Sequence, residues 1–556
     1  MSNAMTKVFF KLILAVVFLA AGPWARAGLQ EGIDAYDRGD YQAALKEFKP
    51  LNGDKRAQFL MGVMYEQGHG VPRDDKAAAG WYRKAAGQGD AEAQYNLGRM
   101  YDLGQGVPQD DKLAAEWYRK AAEQGDAEAQ HNLGLKHRQG RGVPQDDKLA
   151  AEWFRKAAEQ ENADAQNNLG LLYDLGQGVP QDDKMAAEWY RKAAEQGNAQ
   201  GQNNLGVMYR QGRGVAQDYK LAAEWYHKAA GQGNADAQHN LAILYDLAHG
   251  GAAEHQMAAE WFSKAAEQGN AEAQNSLGVM YYQGYGVAQD YKLAAEWYRK
   301  AAGQGNADAQ HNLGIMYRQG QGVPQDDKIA AEWYRKAAGQ GRAEAQYNLG
   351  MMYRKGLGVQ QDDKVAAEWF LKAAEQGNAD AENNLGAMYL EGRGVPQDYD
   401  KAVTSYFSAS RHGSVEAQYN VARLYDLGQV VPQDLKLAAE MYRMAAGHGK
   451  AEAQNDLGMM YRKGRSVQQD DRVAVLWFLK AAEQGYAAAQ YNLGMMYKAG
   501  DGVPADLVQA CKWLNLAVLA GDENAQKAIK PLEDKMKRGE VEQALAMARE
   551  WLARHK

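Results

Sequence analysis

A segment of 36 residues recurs thirteen times between Ala57 and Asn524, and no insertion or deletion breaks its register. A chain that repeats one short unit so closely stacks copies of a supersecondary motif instead of wrapping its length around one core and one cleft. Whatever it binds is met along an extended surface. The period is carried by Ala-Gln-x-Asn-Leu-Gly, at Ala93 to Gly98, Ala129 to Gly134, Ala309 to Gly314, Ala345 to Gly350 and Ala489 to Gly494. Looser copies stay in register at Ala57, Gly201, Ala237, Ala273, Ala381, Ala417 and Ala453.

Within the unit Ala91 to Gly125 the spacing predicts two helices. Asp90 can cap the first, which runs to about Leu103 and places Ala93, Leu97, Met100 and Tyr101 on one apolar face. Two glycines and a proline in Gly104 to Gln109 force the chain out of the helical region before Asp110 or Asp111 starts the second. That helix ends near Gly125 and is expected to bury Ala114, Trp117, Tyr118, Ala121 and Ala122. The Trp117 column keeps tryptophan in eleven copies; Ser405 and Met441 depart from it and predict the loosest packing around residues 400 to 445. The turn Ala248 to Ala253 departs from the common pattern and is expected to differ in shape.

The anchor, Tyr101, the Gly-x-Gly-Val turn, Asp110, Lys112 and the Ala-Ala-x-Trp-Tyr-x-Lys-Ala-Ala run resemble the Sel1-like repeat family, a relative of the tetratricopeptide repeats. The resemblance implies an all-α fold, a right-handed superhelical α/α solenoid of about thirteen hairpins with a cap at each end. The expected division is a leader and signal over 1–27, a capping hairpin over 28–56, the repeats over 57–524 and capping helices over 525–556. In the N-terminal cap Ala43, Ala44 and Phe48 face inward; in the C-terminal one Val541, Leu545, Ala548 and Leu552 form a stripe.

Met1 to Ala4 read as a cloning remnant ahead of Met5. Lys7 and Lys11 lead into the apolar run Leu12 to Ala21, and Ala25-Arg26-Ala27 offers a cut before Gly28, as in a bacterial Sec-type signal. The expected location is the periplasm or the exterior, with no stable membrane insertion. Cys511 is the single cysteine and stands in an alanine column, which reads as a buried thiol and excludes an intramolecular disulfide. A net charge of −7 with interspersed signs disfavours nucleic acid and anionic membrane surfaces.

Compared among the copies, the varied positions are those of Tyr95, Arg99, Asp102 and Leu103, on a first-helix face read as standing away from the packing. The resemblance to tetratricopeptide repeats implies that this face lines a concave peptide groove. Beside Tyr95 stands an asparagine kept in ten copies: Asn96, Asn132, Asn168, Asn204, Asn240, Asn312, Asn348, Asn384, Asn420 and Asn492. An amide offers a donor and an acceptor together, which suits a peptide main chain; equally, each amide can bond a neighbouring helix and set the stacking. Tyr347, Tyr419 and Tyr491 share the column of Tyr95 and are candidate aromatic anchors. The Asp102 column mixes acids and arginines and reads as inter-repeat ion pairs. Arg318 and Arg354 lack neighbouring acids in it and are the candidates for an anionic partner group. The histidines His131, His239 and His311 are too far apart in register for a metal site.

No catalytic motif for a serine nucleophile, a zinc hydrolase or a phosphate loop occurs, and each Gly-x-Gly lies in a turn between helices. No cofactor is expected. The resemblance brings three functions into view. The favoured one is a noncatalytic, exported, monomeric scaffold binding an extended peptide or envelope protein. The others are an immunity or inhibitor protein against an exported toxin or cell-wall enzyme, and a hydrolase of β-lactams or cell-wall fragments. The branch of the family associated with β-lactams staples its hairpins with disulfides, which this chain lacks.

Overall fold

A computed structural model describes residues 23–247 and 251–555; the leader predicted before residue 23 and the centre of the irregular turn at 248–250 lie outside the described residues. Among the described residues every regular element is helical, thirty α-helices and one short 3-10 turn. None of these helices is long and apolar enough to cross a membrane. The chain divides into two units, one reaching to Ala273 with Tyr285–Val287, the other formed by Gln274–Gly284 and Ala288 onward.

One hairpin illustrates the local causes. Asp90 accepts from the Ala93 N–H at 2.9 Å and starts the helix Ala91–Leu103. Gly104, in the left-handed region at φ 69°, ends it with its N–H on the Met100 carbonyl. Asp110 then accepts from the N–H groups of Lys112 and Leu113, each at 3.0 Å, and starts Asp111–Glu123. The second turn glycine, Gly106, also has positive φ, and a Cβ there would lie 2.1 Å from the Asp75 carbonyl oxygen of the preceding repeat. This turn therefore seats directly on the start of the previous second helix, a close approach that glycine accommodates in most copies, with Ser466 holding the same column position at φ 58°.

Inside the hairpin Ala93, Leu97, Met100, Ala114, Ala121 and Ala122 are buried, and the Tyr118 ring lies against Gly98. The tryptophans correct the sequence reading. Trp117 is only half-buried. It rests on the core formed between the second helix of the preceding repeat and the first helix of its own, while the Lys120 ammonium covers its outer side 4.0 Å from the ring centre. The same Lys-over-Trp pair recurs from Trp81 to Trp477. Ser405 leaves the core around Phe370 without such a lid, whereas Met441 still covers the core around Tyr406.

At the N-terminal end Pro23–Asp37 and Tyr41–Phe48 form a hairpin whose first helix begins ahead of the expected start at Gly28, with Ala44 and Phe48 buried and Ala43 half-buried. At the other end Glu523–Glu533 and Arg538–Arg554 close the stack. The buried line of the last helix runs through Ala544 and Ala548, with Val541, Leu545 and Leu552 half-buried beside it. Cys511 is buried there among Ala510, Leu514 and Ala544, and burial raises its thiol pKa to about 11. The irregular turn is followed by a longer second helix, Ala252–Glu267, whose cap Gly251 supplies no side-chain acceptor.

Candidate functional site

The varied face of the first helices is less open than its sequence suggests. Residues of the Tyr95 column lie over the buried aromatic ring of their own hairpin: Tyr95 on Tyr118 at 5.9 Å, His131 on Phe154 at 5.7 Å and Tyr347 on Phe370 at 5.9 Å. Tyr419 lies on Tyr442 in the same way at 5.8 Å and donates to Asp456 at 3.2 Å. Tyr491 packs, half-buried, against the C-terminal core. Each ring has an edge inside the hairpin, which sequence spacing had placed away from the packing.

The asparagine row is built between repeats. Asn204, Asn240, Asn312, Asn420 and Asn492 each donate through Nδ2 to an asparagine Oδ1 of the preceding repeat, at 2.8 to 3.1 Å. Asn168 meets His131 and Asn348 meets His311, both at 3.0 Å, and Asn132 bonds Tyr95. Asn96 and Asn384 turn back to their own helices, donating to the carbonyls of Glu92 and Asp380. The donors therefore set the stacking. The Oδ1 atoms of Asn168, Asn240, Asn312, Asn348, Asn420 and Asn492 make no hydrogen bond among the described residues, and all six side chains are half-buried, so acceptors remain at the surface.

Ion pairs do link the Asp102 column to the next repeat. Asp102 meets Lys136 at 2.5 Å and Arg141 at 3.3 Å; Asp174 meets Arg213; Asp426 meets Arg465 at 2.5 Å. Glu66, in the same column, holds Arg99, so that candidate is already paired. Arg318 and Arg354 behave differently. Arg318 hydrogen-bonds the Tyr334 hydroxyl, and Arg354 Nη1 donates to Asn384 Oδ1. Both act on Tyr347. Burial, and after it the Asp380 carboxylate, raise its pKa, while both guanidinium groups and a hydrogen bond from Asn384 oppose the rise. Four candidates read separately in the sequence, Arg318, Tyr347, Arg354 and Asn384, thus form one cluster.

Two features escaped the sequence reading. The glutamine of each anchor is buried, and Gln94 accepts from Gln124 at 2.7 Å while donating to the Ala86 carbonyl at 3.1 Å. This pairing recurs along both units, with Glu382 and His412 replacing it at 2.8 Å. Its signal was present, since both glutamines persist through the copies. The second is Lys136, buried in a column of methionines and leucines. Among the described residues no group of side chains is arranged to hold a metal ion.

Fold and surface together define an all-α tandem-repeat solenoid whose extended face carries paired amides and one arginine cluster. The Sel1 repeat pattern matches thirteen consecutive segments from residue 55 to residue 522, and the chain belongs to the Sel1 repeat family. A crystal structure of a protective antigen from uropathogenic Escherichia coli strains, displaying the same fold, is 35% identical, with 86% of this chain and 95% of that one covered and a TM-score of 0.61. A Sel1 repeat protein from Oxalobacter formigenes is 36% identical over 56% of this chain and 89% of its own, with a TM-score of 0.45. An immunity protein from Pseudomonas aeruginosa is 25% identical over 38% and 81%, with a TM-score of 0.27. No curated protein matches the chain.

Proposed function

We propose that this chain is a noncatalytic, exported scaffold that holds an extended peptide or an envelope protein on the face of its first helices. The observation that carries this reading is that the positions varied among copies stand on that face beside surface amide acceptors at Asn168, Asn240, Asn312, Asn348, Asn420 and Asn492. A solenoid presents such a row at regular intervals, and an extended partner can satisfy it with main-chain N–H groups. Export is supported by the signal-like leader and by the description of the Escherichia coli relative as a protective antigen.

The test is a binding titration with the partner recovered by crosslinking in the native envelope. Asn312→Ala, Asn348→Ala and Asn420→Ala together remove three of the free acceptors, and with them three Nδ2 bonds that hold repeats, each bond contributing about 1 kcal/mol. The variant is expected to remain folded by circular dichroism and to lose affinity. Unchanged affinity removes the amide row from the account.

A further inference from the structure

In the Asp102 column most acids pair with the following repeat, although Asp246 meets His255 of its own repeat. Among the arginines Arg462 lies 3.9 Å from Asp501, whereas Arg138, Arg210, Arg318 and Arg354 form no ion pair among the described residues, the last two alone standing in consecutive repeats. The acids Glu66, Asp102, Asp174 and Asp426 are each matched by a cation from the following repeat. Arg318 and Arg354, in consecutive repeats, have no carboxylate within ion-pair distance among the described residues. In a chain of net charge −7, this stretch of the face therefore carries unmatched positive charge. Both side chains are half-buried, and their known bonds go to neutral groups, Tyr334 and Asn384. A guanidinium has five N–H donors, so each retains free ones.

We infer that the first-helix face of residues 307–391 selects its partner by carboxylates: an acidic peptide segment places an Asp or Glu side chain on the guanidinium groups of Arg318 and Arg354. This rests on the docking reading above and adds the chemistry of the partner. Tyr347 lies close to both arginines, and Asn384 bonds both Tyr347 and Arg354; the Asp380 carboxylate also acts on Tyr347 but forms no ion pair with either arginine, so their remaining donors stay free for a partner's carboxylate. Both arginines lie in the last turn of their helices, Ala307–Gln319 and Ala343–Lys355, where the carbonyl end carries about half a negative charge. That end supports the cations and opposes a dianion more than a monoanion, which favours carboxylate over phosphate. The paired N–H groups of a guanidinium also match the two oxygens of one carboxylate. Asn348 Oδ1, free to accept, lies on the same helix as Arg354 for a main-chain N–H of the same segment.

Random-peptide display on the full chain tests this, with the double variant Arg318→Gln, Arg354→Gln in parallel. The wild type is expected to recover peptides enriched in Asp and Glu, and replacing those acids by Gln should cost about tenfold in affinity. The double variant should recover peptides without that enrichment. A second double variant, Arg318→Lys with Arg354→Lys, keeps the charge and loses the fork, and should retain part of the preference. Recovered wild-type peptides without acidic enrichment, or enrichment unchanged in the Gln variant, overturn the inference while the docking reading stands. No recovery at all by the wild type overturns both. Phosphorylated versions of the recovered peptides binding about tenfold tighter than their Glu counterparts overturn the choice of carboxylate.

Discussion

Lys136 offers a direct measure of how charge is tolerated inside the repeat stack. Its side chain is 3% exposed, in a column where other copies place Met64, Met100, Met208 or Met316. The ammonium sits 2.5 Å from Asp102 and 2.6 Å from Asp111, and Arg141 reaches the same carboxylates at 3.3 and 2.8 Å. Lys136→Met removes one buried charge, restores the column's usual side chain and leaves both acids with Arg141 as partner. Replacing a buried ionic group by a well-packed apolar one is neutral or stabilising by about 1–4 kcal/mol. Because one acid pair remains, the lower half of that range is expected, about 0–2 kcal/mol. Removing both acids, Asp102→Ala with Asp111→Ala, leaves the ammonium buried and unpaired except by repulsion from Arg141, and should cost about 3–5 kcal/mol. Stability in a repeat stack is local, so the assay is native-state hydrogen exchange over residues 91–162, not a single melting point. Lys136→Met should leave protection unchanged or raise it by up to about thirtyfold; a fall of about tenfold or more refutes the reasoning.

Gly106→Ala combines a positive φ with a Cβ 2.1 Å from the Asp75 carbonyl oxygen, so it should cost about 2–5 kcal/mol and separate that turn from the preceding repeat, read as lost exchange protection on both sides. Glu161 holds a left-handed φ of 64° where most copies have glycine; Glu161→Gly should stabilise its junction by about 1 kcal/mol, measured by local exchange. Burial lowers the pKa of His131 and His311, so the unfolded chain takes up the proton first. Their contribution is then complete above the ordinary imidazole pKa of about 6.5 and is lost as pH falls through and below it. Protection around residues 127–168 and 307–348 should drop between about pH 7.5 and about pH 5, and His131→Asn with His311→Asn should flatten that dependence.

The hairpin boundaries were legible because each is fixed by a local residue: Asp90 and Asp110 cap, Gly104 and Gly106 turn. The division of labour between neighbours was not. Trp117 reads as core by size, but its ring caps the core between two repeats from outside and its outer side is covered by Lys120, a contact that hydrophobic periodicity does not encode. Tyr95 varies among copies and so resembles surface, although one side packs on Tyr118. The asparagines were left between two roles, and the geometry divides the amide: Nδ2 serves the stack, and Oδ1 stays at the surface in six copies. In the arginine cluster, the lack of acids beside Arg318 and Arg354 was visible in the column. The approach of Tyr347 to both, and of Asn384 to Arg354, depends on inter-repeat packing.

Hydrogen exchange of the full chain, with and without a peptide recovered by display, locates the docking face most directly. The account predicts new protection in the first helices Ala307–Gln319, Ala343–Lys355 and Ala379–Glu391, with the second helices unchanged. Protection confined to second helices such as Asp327–Gly339 and Asp363–Ala374, on the Trp333 and Trp369 side with their stacked lysines, contradicts it.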